Sequence, residues 1–149
     1  MRFEYPSGWI VEAKDDALYL HDQASSVERC DLGVSIFQVP GVDFQQLDLD
    51  STLRAVLSSD WVPYHESAIQ HVAEPDFQAV WLEQHYIDPE HNRDARFRIA
   101  LARGPALCLI SFNYWTERAA ELEPVWDGLF RSLAFGVRID DPTKGPAFQ

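Results

Sequence analysis

The sequence is poor in cysteine, in basic residues and in long apolar runs, and each shortage excludes a class of protein. Only 2 of the 149 residues are cysteine, so a disulfide-rich secreted fold is excluded, and no Cys or His spacing matches a zinc motif. The longest apolar run, 106–110, is far too short to span a bilayer. The N-terminal residues lack an apolar signal segment, so we expect a cytoplasmic protein with reduced thiols.

Basic residues are half as numerous as acidic ones, 12 against 24, which gives a net charge of −12. A polyanion repels nucleic acid and anionic lipid, so we expect neither nucleic acid nor a membrane as a partner. Residues 1–92 carry 4 basic and 17 acidic residues, whereas residues 93–149 carry 8 and 7. Four of the later arginines crowd into one stretch: Arg93, Arg96, Arg98 and Arg103. The pattern is typical of a solvated acidic surface with a basic strand pair, or of a dipolar surface that orients a partner or a second copy in a homodimer.

The first forty residues, including Phe3 and Tyr5, alternate apolar and polar side chains in short stretches broken by turns, which predicts an antiparallel meander. The period then changes, because the apolar residues of 49–57 fall on one helix face. We predict a helix of about ten residues there, capped by Asp50 or Ser51, whose side chains can accept a backbone N–H.

Two later stretches predict buried strands. Residues 76–88 alternate with apolar side chains on both faces, which is typical of a strand covered on both sides. Residues 106–115 form the most apolar strand, so we place it at the centre of the sheet. The order of strands, helix, strands and helix favours an α+β domain with an antiparallel sheet and helices on its faces.

A second helix is predicted between residues 122 and 133, where apolar residues recur at helical spacing. Thr116 is the expected first cap of a short turn. We expect a break or kink after that turn, with Pro124 near the first position of the main helix, because proline has no N–H to donate. Gly136 is a late stop signal, and residues 140–149 have the composition of a flexible tail.

Two phrases of the sequence resemble a known family. An aromatic-x-Tyr-Pro-x-Gly-Trp opening is carried by Phe3, Tyr5, Pro6, Gly8 and Trp9. The closing strand and helix read LISF at 109–112, PVW at 124–126 and SLAF at 132–135. With the order of the strand pairs, these phrases are similar to the PsbP-like superfamily over about residues 3–136.

The resemblance implies a fold and a broad role. The fold would be an α/β/α sandwich around an antiparallel sheet of about six strands or more, with helices on both faces. Residues 1–139 would form a single PsbP-like domain. Members of the superfamily look like binding or assembly proteins, and one bacterial branch comprises chaperones for type VI secretion effectors. The superfamily shares no catalytic residue set, so the resemblance implies neither an enzyme nor a cofactor.

Catalytic and metal motifs are incomplete. Ser35 matches only half of G-x-S-x-G and falls inside a strand, whereas a nucleophile elbow needs a strand-to-helix turn. His65 begins an H-E-x-x-H-like stretch that lacks the second histidine. His65 and His71 share a strand face, and a neighbouring strand could bring two of the chain's histidines together. We interpret them as solvent-facing and expect no metal site.

The aromatic residues are more informative than these motifs. Candidate partner-contact residues are Trp61, Tyr64, Tyr114 and Trp115, with Arg96 and Arg98 as candidate ion-pairing residues, because Trp, Tyr and Arg are favoured at interface hot spots. The leading hypothesis is a non-catalytic protein-binding or assembly module, with a chaperone or adaptor of bacterial secretion as one concrete form. The alternatives are a small-molecule or metal-binding domain and a hydrolase that uses a His/Asp pair.

Overall fold

The structure, a computed structural model, describes residues 1–15, 17–22, 30–37, 41–57 and 60–135. Its strands are β1 (Ile10–Lys14), β2 (Ala17–His21), β3 (Cys30–Phe37), β4 (His65–Glu66), β5 (Gln70–Ala73), β6 (Gln78–Asp88), β7 (Arg93–Arg103) and β8 (Leu107–Trp115). Its α helices are α1 (Leu49–Ala55) and α2 (Ala119–Ser132), with 3-10 turns at Phe44–Gln46 and Thr116–Arg118. The predicted tail, 140–149, lies outside the described residues.

The eight strands of the described residues form one antiparallel sheet accompanied by two α helices, which fits the predicted α+β class. The order is β1-β2-β3-β8-β7-β6, and β4 and β5 share the outer edge of β6. The most apolar strand, β8, lies at the centre as predicted. β4 and β5 are short because the chain leaves the ladder at Ser67, whose N–H donates to the carbonyl of Glu83 at 2.9 Å while its Oγ accepts the N–H of Glu83 at 2.9 Å.

The core consists of two clusters that share the long strands. Ala100 and Ala102 of β7 join a cluster that includes Trp126 of α2. Ile99 and Leu101 join a second cluster that includes residues of α1. Successive side chains of a strand point to opposite faces, so each long strand supplies both clusters. The prediction that 76–88 is covered on both sides is confirmed, since Ala79 and Val80 are divided in the same way.

The strand prediction is wrong for the stretch that contains Phe3 and Tyr5. Arg2 forms only an isolated bridge to Ala134, with N···O distances of 2.7 and 2.8 Å. Pro6 has no N–H to donate to a ladder, and Gly8 adopts a φ of 86° in the turn that follows. Phe3 is buried all the same, in the cluster that contains α2.

The predicted cap of the first helix is also wrong. Asp48 is the N-cap, and its carboxylate accepts the N–H of Ser51 at 3.2 Å. The helix is 7 residues long and Val56 is its C-cap, so the predicted length was too great. The hydrophobic pattern reaches past the helix because Leu57 still contacts the core after the helical hydrogen bonds end.

The short turn predicted from Thr116 is confirmed, but the cap and the position of Pro124 in α2 differ from the prediction. Thr116 begins a 3-10 turn and donates its hydroxyl to Asp94 at 2.9 Å, so it does not cap the helix. Pro124 lies inside a continuous helix. Its missing N–H deprives only the carbonyl of Ala120, which is exposed and can bind water instead. α2 ends at Ser132, and Gly136 lies outside the described residues.

Both cysteines, Cys30 and Cys108, are buried and free. Burial raises the pKa of each thiol to about 12, so both remain protonated at neutral pH. Of the helices in the described ranges, neither has the length and apolar character needed to cross a membrane.

Candidate functional site

The segment 61–64 wraps around the β6 edge of the sheet, and Trp61 is its anchor. The Trp61 ring stacks on Tyr86 with centroids 4.4 Å apart and planes 13° apart, and it meets the ring of Phe97 edge-on at 5.0 Å. Its indole N–H donates to Oε1 of Gln84 at 3.0 Å. An apolar ring whose one polar atom is satisfied is held firmly in place.

Tyr64 lies on the other side of the same strand. Its ring meets that of His85 at 6.0 Å and 72°, and its N–H donates to the carbonyl of His85 at 2.9 Å. His85 and Tyr86 are successive residues of β6, so their side chains point to opposite faces of the sheet. Tyr64 and Trp61 therefore pack on opposite sides of this strand. The Tyr64 hydroxyl lies 2.9 and 2.7 Å from the two carboxylate oxygens of Asp94, and this hydrogen bond raises the pKa of Tyr64.

The exposed side chains at this edge form one surface, called here the Tyr64 surface: Val62, Tyr64, His65 and Ile87. Val62 is 89% exposed, Tyr64 58% and Ile87 48%. His65 pairs with His85 across the β4–β6 ladder, and the two rings lie 4.9 Å apart. Val62 and Tyr64 therefore face solvent on the segment 61–64, and Ile87 faces solvent on β6, the strand that this segment contacts.

Arg96 and Arg98, which the sequence analysis proposed as ion-pairing residues for a partner, form ion pairs within the chain. Nε of Arg98 donates to Glu83 at 2.6 Å, and its Nη2 lies 3.4 Å from Glu123. Nη1 of Arg96 donates to Glu123 at 2.6 Å. The guanidinium carbon of Arg98 also lies 5.0 Å from the ring centroid of Trp81. These arginines tie α2 to the sheet.

The electrostatics of this network favour the charged forms. Burial opposes ionisation of Glu83, but hydrogen bonds from His85 and Arg98 outweigh burial and lower the pKa of Glu83. Burial likewise opposes the charge of Arg96, and the carboxylates of Glu83 and Glu123 outweigh it and raise the pKa of Arg96. Arg98, with its side chain 10% exposed, has little surface left for a partner.

Two of the aromatic candidates lie below the surface. Tyr114 is 0% and Trp115 1% exposed, so neither presents a side chain to a partner in this structure. The end of β8 is covered because Trp115 packs in the cluster of α1 beneath the Arg93 guanidinium, 4.4 Å from its ring centroid. Of the predicted contact residues, Tyr64 is the one that is broadly exposed. Its contact with a partner stays a prediction.

The histidines fall into separate pairs. The expectation that a neighbouring strand could bring two of them together is met by His65 and His85. Nε2 of His85 lies 2.6 Å from Glu83, and Nε2 of His71 lies 3.0 Å from Asp50 on a different part of the sheet. Within the described ranges, no three His, Cys, Asp or Glu side chains are grouped to hold a metal ion.

A cavity of about 400 Å³ opens beside α1, at some distance in sequence from the Tyr64 surface. Its lining includes Asp50, His71, Gln78 and Arg103. The His71–Asp50 pair is the His/Asp arrangement that a hydrolase would need, but none of the described lining residues is Ser, Thr or Cys. Ser35 lies within β3, far from any strand-to-helix turn, so the incomplete elbow motif has no elbow geometry.

The sequence analysis did not identify most residues of the Tyr64 surface as candidate contact residues. Val62 gave one signal, an isolated apolar residue in the loop after the first helix. Ile87 looked like one more residue of an alternating strand, and Asp94 looked like part of a polar loop. Nothing in the sequence placed Asp94 beside Tyr64, because that contact depends on the register of the edge strand.

Comparison with known proteins gives a family and two fold relatives. The family model Alr1449 matches residues 1–139. The chain is 35% identical over 151 residues to the uncharacterized protein alr1449 of Nostoc sp. strain PCC 7120, covering 99% of this chain and 79% of that protein.

Two solved structures share the fold. One is the solution structure of cyanobacterial PsbP (CyanoP) from Synechocystis sp. PCC 6803, with a TM-score of 0.55, 18% identity and coverage of 87% of this chain and 83% of that one. The other is the crystal structure of PA94 from Pseudomonas aeruginosa, a protein of unknown function described as a putative regulator, with a TM-score of 0.51, 14% identity and coverage of 86% and 97%. At these identities the likeness shows the fold alone, and it confirms the PsbP-like fold. The fold relatives and the family model agree in covering nearly the whole chain, and the chain belongs to the Alr1449 family.

Proposed function

We propose that this protein is a non-catalytic protein-binding or assembly module that contacts its partner through the Tyr64 surface. The observation that carries the proposal is the exposure of Val62 at the turn of a segment fixed on both sides of β6. A group of exposed apolar side chains at one edge of a sheet supports a contact site, because contiguous apolar patches mark interaction surfaces more often than single exposed residues do.

The fixed conformation of Tyr64 favours binding energetically. Ordering a flexible side chain at an interface costs about 0.5–1.5 kcal/mol. The hydrogen bond to Asp94 already holds the Tyr64 ring, so a partner that covers it avoids much of this cost. Tyrosine is also among the residues that most often dominate binding energy.

The distribution of charges favours a different protein, rather than a second copy of this chain, as the partner. The arginine stretch of the sequence is engaged within the chain, with Arg93 paired to Glu117 and Arg96 paired to Glu123. Arg103 donates to backbone carbonyls. These side chains are therefore poorly placed to receive the acidic half of another copy. With a net charge of −12, the chain is complementary to a partner whose contact surface has a basic rim.

Three narrower statements accompany the proposal. We interpret the architecture as an α/β/α sandwich, supported by the division of alternate strand residues between the clusters of α1 and α2. We propose one domain over residues 1–139, supported by the match of the family model to that range. The cytoplasm remains the proposed compartment, supported by two free thiols. A chaperone or adaptor of bacterial secretion is one such assembly role, suggested by the family resemblance alone.

The test is quantitative affinity purification from the native organism with three forms of the protein: wild type, Val62→Asp and Tyr19→Ala. Val62 makes little contact with the core, so the aspartate changes the surface without unfolding the protein. Tyr19 is 46% exposed, which makes its truncation a matched control on another part of the sheet. We expect a stoichiometric partner that the wild type and Tyr19→Ala retain and Val62→Asp loses.

Other outcomes count against the proposal. Recovery of no stoichiometric partner contradicts a binding role, and a partner that survives Val62→Asp places the contact elsewhere. Light scattering measures whether the purified protein is a dimer. If the wild type is a dimer and Val62→Asp is a monomer, a second copy covers the Tyr64 surface, and the proposal of a different protein is wrong.

A further inference from the structure

The cavity beside α1 has the size of a small-ligand site. At about 400 Å³ it falls at the lower end of the range of roughly 300–1,000 Å³ typical of such sites. The apolar residue Val80 shares its lining with the charged residues Arg103 and Asp50. An apolar wall with a few charged groups is the usual composition of a site that orients a small polar molecule.

Arg103 has an unusual set of partners. Its Nη1 lies 2.6 and 3.3 Å from the carbonyl oxygens of Leu47 and Gln45, and its Nη2 lies 2.6 Å from Oε1 of Gln78. These acceptors are all neutral, and among the described residues no carboxylate forms an ion pair with Arg103. Its Nε–H is buried and has no acceptor among the described residues. A partly buried guanidinium with neutral partners retains its attraction for an anion.

The unsatisfied N–H lies on a favourable edge of the guanidinium. Nε and Nη2 of Arg103 present two parallel N–H bonds, the arrangement that a carboxylate accepts in bidentate fashion. The Gln78 side chain accepts a hydrogen bond from Nη2 and not from Nε. Gln78 is an exposed side chain and can turn aside or share that donor with a ligand.

The lining of the cavity also contains carboxylates, which attract a cation rather than an anion. The Asp50 carboxylate lies 3.0 and 3.2 Å from the single Nε2 atom of His71, which leaves most of its acceptor capacity free. Asp48 contributes a second carboxylate, one oxygen of which caps α1. Because Asp48 and Asp50 line the same cavity as Arg103, the cavity disfavours a phosphate dianion and favours a ligand that also carries a positive charge.

We propose that this cavity binds a small zwitterion, a molecule with one carboxylate and one ammonium group, as in a free amino acid. After Gln78 turns aside, Nε and Nη2 of Arg103 would donate hydrogen bonds to the carboxylate, and Asp50 would accept hydrogen bonds from the ammonium group. This site shares no residue with the Tyr64 surface, so it is independent of the proposed protein partner.

The experiment is an NMR titration of the ¹⁵N-labelled full chain with the proteinogenic amino acids, one at a time, up to millimolar concentrations. Propionate and propylamine serve as probes that carry only the carboxylate or only the ammonium group. We expect at least one amino acid to shift the backbone amides of Asp50, Val72 and Ala73 to saturation. Each single-charge probe should bind about tenfold more weakly or less.

Gln78→Glu is the decisive variant, because it places a carboxylate against Arg103 while keeping the interactions of that arginine with the backbone. It should weaken amino acid binding at least about tenfold, whereas Gln70→Glu, the same charge change on the neighbouring strand, should have little effect. Asp50→Asn should weaken amino acid binding and leave propionate binding unchanged. The proposal is overturned if no amino acid shifts the cavity amides, or if Gln78→Glu binds as tightly as Gln70→Glu.

Discussion

Glu123 on α2 accepts a hydrogen bond of 2.6 Å from Nη1 of Arg96 on β7, and this contact fixes the N-terminal half of the helix to the sheet. Both side chains are partly exposed, so solvent weakens their attraction. We predict that Glu123→Gln lowers the free energy of unfolding by about 1–2 kcal/mol in urea denaturation. Asp127→Asn, on an exposed position of the same helix, should change it by less than about 0.5 kcal/mol. Equal effects of the two substitutions would show that the ion pair has no specific role.

Glu83 makes stability depend on pH in the acid range. Its pKa is lower in the folded chain than the unfolded value of about 4.3, so its contribution is complete above that value and is lost as the pH falls through the folded pKa. We predict that Glu83→Gln is less stable than wild type by about 2–3 kcal/mol at pH 7. The difference should shrink as the pH falls below about 4.3 and disappear below the folded pKa of Glu83 in denaturation series. A constant difference across the acid range would contradict this role.

Trp61 holds the segment that carries the Tyr64 surface. Replacing it with alanine removes the stacking on Tyr86 and the hydrogen bond to Gln84. We predict a loss of about 2–4 kcal/mol in the free energy of unfolding. Hydrogen exchange of the Tyr64 amide should accelerate, because its bond to the His85 carbonyl would no longer be supported. Unchanged protection of that amide would show that the segment is held by other contacts.

Two glycines should respond to alanine in opposite directions. A Cβ at Gly104 would lie 2.8 Å from the ring of Phe135, closer than packing allows. Gly104→Ala should therefore destabilise by about 1–3 kcal/mol. At Gly128, inside α2, the nearest heavy atom to an added Cβ would be Nη2 of Arg131 at 3.9 Å, so Gly128→Ala should stabilise by about 0.5–1 kcal/mol. Thermal denaturation of both variants measures the two signs.

The strands and the central position of β8 could be predicted from alternation and composition, because burial on one or both faces of a sheet leaves a period of two. Pro124 could not be placed correctly. The sequence shows that proline lacks a donor, but the exposure of Ala120, which makes that loss tolerable, depends on how α2 lies on the sheet. The same limit applied to Tyr114 and Trp115, whose burial depends on what covers the end of β8.

The arginines illustrate a second limit of the sequence. The alternation of Arg96 and Arg98 with apolar residues is typical of an exposed strand face. Their carboxylate partners, Glu83 and Glu123, are distant in sequence and come together only through the β6–β7 register and the packing of α2. Charge counted along the chain therefore located the basic stretch without showing that Arg96 and Arg98 were already paired with carboxylates.

Site-specific photocrosslinking in living cells tests the central claim most directly. A photoreactive phenylalanine analogue replaces Val62 in one strain and Tyr19 in another, and both strains are irradiated. The account predicts one discrete crosslinked product, joining this chain to a second protein, from position 62 and none from position 19. Absence of a product at position 62, or the same product from both positions, would contradict binding through the Tyr64 surface.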